Sequence, residues 1–315
     1  MTTTLTQSEN KVTLVGVLAQ NNLKQGKTKD GREYINGNIV VKTGSDEEHY
    51  VQFFEMAKFK SGQENSAYKG LQTVMRTKVS IADIAEKGLD VKPSVVRVSG
   101  GAMEVNDYYN KETKQVVTRQ QVTGRFIGDA KPDSQGNQPQ PTAQFNGEGI
   151  VNKVIYQEEQ EKATIEILVV GYGGRVEPMS YTVYGKGAEY ISTLDKGEAI
   201  MFNGVLRNLF KEEQIVTEMT EGFGEPTIET KRTAVREWEI RGAQPMQATN
   251  NYDEVDLVRQ AIAQREVHLA SVKEDGEKRS SNSTGNAPAK KDDNFNFGEA
   301  LNTVSEEVDM DGLFG

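Results

Sequence analysis

Hydrophobic and polar residues alternate along ten short segments of the chain, a pattern typical of half-buried β-strands. These segments form two groups of five, separated by a polar stretch. They are residues 12–18, 34–43, 50–55, 95–99 and 123–128, and then residues 145–151, 163–171, 179–184, 199–204 and 238–242. A glycine follows or ends the fourth strand of each group, Gly100 in the first and Gly204 in the second. The pattern therefore predicts one β-rich unit written twice.

A helix is predicted between the third and fourth strands of each group. In the first group, hydrophobic residues recur at spacings of three and four, and they are Tyr68, Leu71, Met75, Val79 and Ala82. Ser80 and Asp83 have the spacing of a capping box, so this segment forms one long helix or two short ones. In the second group, residues 187–194 leave room for about two turns.

Five strands with a helix between the third and fourth is the element order of the OB-fold, a five-stranded Greek-key barrel. We therefore predict a chain dominated by β-structure, with tandem OB-folds at residues 10–128 and 145–247 and short helices. The first barrel is predicted to be the main ligand-binding one.

Composition predicts the connecting segments. Residues 129–144 hold three of the eight prolines and no Val, Ile, Leu or aromatic residue, which indicates a Pro/Gln-rich linker. Residues 251–272 are predicted to form a helix that packs on the second barrel or, alternatively, on a partner helix. Residues 273–294 lack large apolar residues, so we expect 273–315 to be a disordered acidic tail.

The residue types present exclude several kinds of site. The chain has no cysteine, which rules out disulfides, a thiolate nucleophile and Cys-ligated zinc. Its only histidines, His49 and His268, lie in unlike contexts. We therefore expect no enzyme activity, no metal and no cofactor. The start of the chain has no signal-peptide pattern, and no apolar run is long enough to cross a membrane, so the sequence predicts a cytoplasmic protein without a membrane partner.

The net charge of −10 is unevenly distributed. Residues 1–128 hold 18 Lys and Arg against 14 Asp and Glu, residues 129–247 hold 12 against 19, and residues 248–315 hold 7 against 14. A mildly basic N-terminal segment followed by acidic segments is typical of a nucleic-acid binder with an acidic tail.

OB-folds that bind single strands combine aromatic residues that stack on bases with Lys and Arg that contact phosphates. In the first barrel the candidates are Lys24, Lys27, Lys29, Arg32, Tyr34, Lys42, Tyr50, Phe53, Phe54, Arg97, Tyr108, Tyr109, Arg119 and Arg125. In the second barrel they are Arg175, Tyr181, Tyr184, Lys186, Arg207, Arg232, Arg236 and Trp238. The alternative is that these aromatic residues fill the barrel cores. Because strand neighbours point to opposite faces, one of Phe53 and Phe54 must face outward.

Residues 306–315, EEVDMDGLFG, place acidic residues before an apolar end. An apolar tip on a flexible acidic tether indicates a binding pocket on a partner protein. The alternative is a chain end without a function.

Together these features resemble the single-stranded DNA-binding proteins, and specifically a long, phage-type member with tandem OB-folds and an acidic C-terminal tail. The resemblance implies sequence-tolerant binding of single-stranded DNA in replication, recombination and repair. It also implies that the tip recruits replication and recombination proteins through Asp309, Asp311, Leu313 and Phe314, although here Gly315 follows the phenylalanine. The alternative function is a non-enzymatic β-rich structural or scaffold protein, such as a phage virion component.

Overall fold

The computed structural model describes residues 4–132, 134–217, 227–246 and 250–281, with the backbone alone for 210–217, 227–234 and 281. The strands are β1 (Asn10–Asn21), β2 (Lys24–Lys27), β3 (Glu33–Lys42), β4 (Glu48–Met56), β5 (Val95–Asn110), β6 (Gln115–Thr123), β7 (Phe126–Asp129), β8 (Thr142–Gln157), β9 (Lys162–Val170), β10 (Val176–Tyr184), β11 (Ala199–Thr217) and β12 (Thr227–Pro245). The α-helices are α1 (Ser66–Thr77), α2 (Ile81–Lys87), α3 (Lys186–Ser192) and α4 (Val255–Ser281).

Strand pairing closes two barrels of the same topology. In the first barrel (residues 10–129), β1 pairs antiparallel with β3 and β5, β3 with β4, and β5 with β6. The parallel pairing of β4 with β6 closes it at Val51 and Val122. In the second barrel (residues 142–245), β8, β9, β10, β11 and β12 repeat these pairings, and the parallel contact joins Thr182 to Glu239. This is the OB-fold connectivity, so the predicted fold class is confirmed.

The two barrels share one continuous sheet. Strand β1 pairs antiparallel with β8 along six residue pairs, from Asn10 opposite Gly147 to Val15 opposite Thr142. Because β8 begins at Thr142 and β7 ends at Asp129, the connection between the barrels is shorter than the predicted linker 129–144.

Both barrel interiors are filled by the inward-facing residues of the alternating strands. Leu14, Val51 and Phe53 are fully buried in the first barrel. In the second, the rings of Tyr181 and Phe202 pack edge to face with 4.9 Å between their centroids. Such aromatic pairs add packing energy beyond the area that they bury.

The predicted capping box divides the first helical segment in two. The Ser80 hydroxyl accepts a hydrogen bond from the Asp83 backbone N–H, and the Asp83 carboxylate accepts one from the Ser80 N–H. Helix α2 therefore starts at Ile81, separately from α1. Ile81 covers Val15, Val17 and Val40 on the outer face of the first barrel.

Helix α4 covers the outer face of the second barrel, which confirms its predicted packing. Ala261 and the preceding Tyr252 are buried with Leu168 and Val176. The helix also extends to Ser281, so the prediction that 273–281 lack structure was wrong.

The additional part of the helix makes a close contact with the first barrel. A Cβ atom at Gly276 would lie only 2.3 Å from the Tyr109 side chain, so the glycine lets the aromatic residue of β5 pack directly on the helix. The remaining tail, residues 282–315, lies outside the described residues. Within the described part of the chain, no helix is both long and apolar enough to cross a membrane.

Candidate nucleic-acid interface

A stacked aromatic pair lies on the outer face of the first barrel, with one ring exposed and the other half-buried. Tyr34 of β3 and Phe54 of β4 stack with 5.6 Å between ring centroids and 30° between ring planes. Their neighbours Ile35 and Phe53 point inward and are fully buried, so strand alternation turns the pair outward. Phe54 is 61% exposed. This is the geometry of a platform on which a flat aromatic ligand can stack.

The β2–β3 hairpin extends the platform. Gly26 of β2 packs against the Tyr34 ring. A Cβ atom at Gly26 would lie only 2.6 Å from that ring, so the close approach requires glycine. Lys24 lies opposite Asn36 in the register and is exposed beside the platform. Lys29 is exposed in the turn of the hairpin. The hairpin therefore places Lys24 beside the aromatic pair and Lys29 farther away in its turn.

Two basic residues of this hairpin form ion pairs. Lys27 lies 3.3 Å from a Glu33 carboxylate oxygen, and the Arg32 Nε lies 2.6 Å from an Asp30 carboxylate oxygen. All four side chains are well exposed. Such surface pairs are weak, so the cations can exchange their carboxylate partners for a phosphate at little cost.

Three of the predicted aromatic contacts instead belong to barrel packing. Phe53 and Tyr181 are fully buried, and Trp238 is half-buried with its ring 5.8 Å from that of Tyr181. Base stacking needs an accessible ring face, so the assignment of Phe53 and Tyr181 to the interface was wrong. The physical reason is register: each residue occupies an inward position of its strand.

Other predicted residues lie away from the platform. Arg97 is on β5, which is separated from β3 by β1. The Arg125 guanidinium lies 5.4 Å from the centre of the Phe126 ring. Tyr109 packs on α4, whereas its neighbour Tyr108 is 39% exposed. These residues do not join the aromatic pair.

The second barrel has an aromatic residue at the position equivalent to Phe54. Phe54 lies two residues after Gln52, which pairs with β6. In the same way, Tyr184 lies two residues after Thr182, which pairs with β12. Tyr184 is 44% exposed. The alternation of the strand therefore presents an aromatic ring at the same place in both barrels.

The acidic residue Glu237 contacts Tyr184. The Tyr184 hydroxyl donates a hydrogen bond to Glu237, 2.8 Å away, and the Lys162 ammonium lies 3.2 Å from the same carboxylate. Burial and this hydrogen bond raise the pKa of Tyr184 above its ordinary value. The second aromatic position therefore differs from the first in having a carboxylate, paired with Lys162, in contact with the ring hydroxyl.

Each barrel extends a long hairpin onto the other barrel. The first arm (β5 and β6) reaches β10, where Gln120 exchanges hydrogen bonds of 3.1 and 2.9 Å with the Ser180 backbone. The Val105 N–H donates to Glu177, 3.2 Å away, and burial raises the pKa of that carboxyl.

The second arm (β11 and β12) reaches β4 in the reciprocal way. The Asn208 amide donates to the Glu48 carbonyl oxygen, and Leu209 forms a bridge with Glu47. Arg207 lies 3.2 Å from Glu239 and 3.9 Å from Glu47. The arms thus place residues of each barrel against the other.

The remaining predicted basic residues fall at separate places. Lys42 lies opposite Glu48 at the end of β3, and Lys186 begins α3. Arg175 lines a cavity of about 530 Å³ between the barrels and α4. The side chain of Arg232 is outside the described residues, as are Asp309, Asp311, Leu313 and Phe314.

Two contacts were missed by the sequence analysis. Gln52 shares the outward face of β4 with Phe54, and the alternation of the strand was a sufficient signal for it. Asn208, which joins the second arm to the first barrel, has no local signal because its partner is 160 residues away.

Comparison with protein families settles the relationship of the chain. The YorF family model matches residues 8–275, which include both barrels and most of α4. The chain belongs to the YorF family. A comparison with curated proteins gives no match.

Two solved structures are similar to this YorF-family chain. One is the wild-type single-stranded DNA-binding protein from Thermus aquaticus, with 16% identity and a TM-score of 0.43 over 77% of this chain and 95% of that one. The other is a deletion mutant of the same protein, with 15% identity and a TM-score of 0.44 over 77% of this chain and 96% of that one.

Proposed function

We propose that this YorF-family protein is a non-enzymatic, sequence-tolerant binder of single-stranded DNA. The observation that carries the proposal is the Tyr34–Phe54 pair beside the basic β2–β3 hairpin. Every base has a π-face, so stacking on such a pair is sequence-tolerant and contributes about 1–3 kcal/mol per base. The lysines supply the phosphate contacts that make binding salt-dependent.

Single strands fit this surface better than duplex DNA does. Phe54 offers its ring on an open face, and the base faces in a duplex are already stacked on one another. The platform therefore favours DNA that is transiently unpaired. We propose that the protein protects such DNA during replication, recombination and repair in the cytoplasm, the host cytoplasm if it is encoded by a phage.

The tip is the proposed site for partner proteins. Asp309, Asp311, Leu313 and Phe314 combine acidic residues with an apolar end, and they follow a polar segment without large apolar residues at 273–294. An apolar anchor flanked by charges is a common recognition signal for a pocket on another protein. We propose replication and recombination proteins as the partners.

A titration of the full chain with fluorescently labelled oligo(dT) tests the proposal. At about 50 mM salt we expect tight binding, and at about 200 mM we expect a clear loss of affinity because phosphate contacts release counterions. A duplex of the same length should bind far more weakly. Equal binding of duplex and single strand, or no binding of oligo(dT) at low salt, would contradict the proposal and favour a scaffold role.

A further inference from the structure

The second arm approaches the first barrel at the start of β4. Asn208 of β11 donates its amide N–H to the Glu48 backbone oxygen, and the Arg236 Nε of β12 donates to the Asn208 side-chain oxygen at 3.2 Å. Leu209 and Glu47 form a backbone bridge at the same point. A chain of hydrogen bonds therefore fixes Arg236 of the second barrel against β4 of the first.

Arg119 reaches the same place from the first arm. Strand β6 runs parallel to β4 with Val122 beside Val51, so Arg119 lies at the level of Glu48. Val122 points inward, and Arg119, three residues earlier, points outward and is exposed. Two guanidinium groups, one from each barrel, thus flank the beginning of β4.

The positive charge of Arg119 affects the pKa of Arg236. Burial, and then the positive charge of Arg119, lower the pKa of Arg236 to about 10. Two cations near each other repel, and a phosphate that contacts both reduces the repulsion. Guanidinium groups are well suited to a phosphate because their N–H donors match its oxygens.

The outward face of β4 connects this place with the aromatic pair. Phe54, Gln52 and Tyr50 alternate with inward residues, so their side chains lie on one face. Tyr50 and Phe54 are four residues apart, which is about 13 Å along a strand. A single strand stacked at Phe54 can follow this face to Arg119 and Arg236.

We propose that Arg119 and Arg236 form a composite phosphate site, through which the second barrel holds a DNA strand that is stacked on the first. The inference rests on the proposed function and assigns the second barrel a part in it. The second barrel contributes by its arm, across β4, and not by a separate platform.

The test compares full-length variants with labelled oligo(dT) of about 3 and about 25 nucleotides, below and above the usual site sizes of one OB-fold. Arg236→Ala should weaken binding of the long oligonucleotide by about tenfold and reduce the salt dependence by about one phosphate contact. Binding of the short oligonucleotide should stay within about twofold of wild type, because it covers the aromatic pair alone.

Arg241→Ala is the matched control, since Arg241 lies on the same strand and forms an ion pair with Glu239 at 3.1 Å. We expect this variant to bind the short and the long oligonucleotide with wild-type affinity. Arg119→Ala should reproduce the effect of Arg236→Ala without touching the Asn208 contact, so it tests the site even if the Arg236 variant loses stability.

The outcomes separate the two proposals. The composite site would be overturned if the Arg236 and Arg241 variants bound the long oligonucleotide with equal affinity. It would also be overturned if the Arg119 variant lost the same fraction of its affinity for the short and the long oligonucleotide. Absence of binding by the wild-type protein at both lengths would instead overturn the proposed function itself.

Discussion

Arg265 of α4 donates two hydrogen bonds to the Asp107 carboxylate of β5, with both nitrogen–oxygen distances at 2.7 Å. The pair is nearly inaccessible, since Asp107 is 4% exposed and Arg265 is 12% exposed. Thr118 donates a further hydrogen bond of 2.7 Å to the same carboxylate, and together these contacts hold the pKa of Asp107 below its usual value in spite of burial. The pair ties the helix that covers the second barrel to the arm of the first.

Arg265→Ala should lower the free energy of unfolding by about 3–5 kcal/mol, because it leaves the Asp107 carboxylate buried without its cation. Urea denaturation measures the change. Arg259→Ala is the control, since Arg259 pairs with Asp256 at 3.5 Å on the solvent side of the same helix. That variant should lose about 1 kcal/mol at most, and equal losses for the two would contradict the importance of the buried pair.

His49 should make stability depend on pH. Burial, and then the positive charge of Arg207, lower its pKa to about 4. In the unfolded chain the ordinary value is about 6.5, so the unfolded state binds the proton first as the pH falls. The stabilisation is fully present above pH ~6.5 and is lost progressively towards pH ~4, by up to about 3 kcal/mol.

The measurement is the free energy of unfolding at about pH 7 and about pH 4.5 for wild type and His49→Gln. Glutamine keeps a polar partner for the Thr43 hydroxyl, which lies 3.0 Å from the His49 Nε2. We expect the wild type to lose more stability on acidification than the variant. Parallel curves would show that His49 does not titrate in this range.

Phe54→Ala should weaken binding of single-stranded DNA by about 5- to 150-fold, which corresponds to the loss of about 1–3 kcal/mol of base stacking. Phe59→Ala is the control, since Phe59 is also exposed but lies in the turn after β4. Titration with labelled oligo(dT) compares the two. A similar loss in both variants would indicate that general surface hydrophobicity, and not the platform, binds the bases.

Glu237→Gln should raise affinity for single-stranded DNA by about two- to fivefold, the range expected for one partly exposed charge. It removes the negative charge that contacts both Tyr184 and Lys162, so that a phosphate beside the second aromatic position is no longer repelled. Glu159→Gln removes the same charge from an exposed turn of the same barrel. An equal gain in the control would assign the effect to net charge.

Deletion of residues 309–315 should leave affinity for single-stranded DNA unchanged or slightly higher, because screening limits the reach of the tail charges at physiological salt to about 8 Å. Partner binding should be lost. In a pull-down, Phe314→Ala should remove more partner than Asp311→Ala, since a buried aromatic anchor contributes more than a charge at the rim. Equal recovery by all variants would mean that the tip is not a recognition element.

The order of elements could be predicted because each strand and cap is a local signal. Alternation located most of the strands, and the Ser80–Asp83 spacing located the start of α2. The strand predicted at 123–128 was wrong, because β6 ends at Thr123 and β7 begins at Phe126, and β2 was not predicted. The outward direction of one member of the Phe53–Phe54 pair followed from geometry alone, which made Phe54 a sound candidate.

The arrangement of the barrels could not be predicted in this way. Asn208 and Glu48, or Arg265 and Asp107, are separated by about 160 residues in sequence, and no periodicity connects them. Tyr181 was misassigned because alternation shows that two faces exist without showing which one faces the core. The end of α4 was predicted too early, because the contact of Gly276 with Tyr109 leaves no hydrophobic pattern in the sequence.

The ladder between β1 and β8 restrains motion of one barrel against the other. Strand β1 is hydrogen-bonded to β3, β5 and β8, so a hinge motion of one barrel against the other would break backbone pairs at the centre of the sheet. The same pairing restrains the spacing between Phe54 and Arg236. On the proposed function, the protein would bind a defined length of DNA and would not close around strands of different lengths.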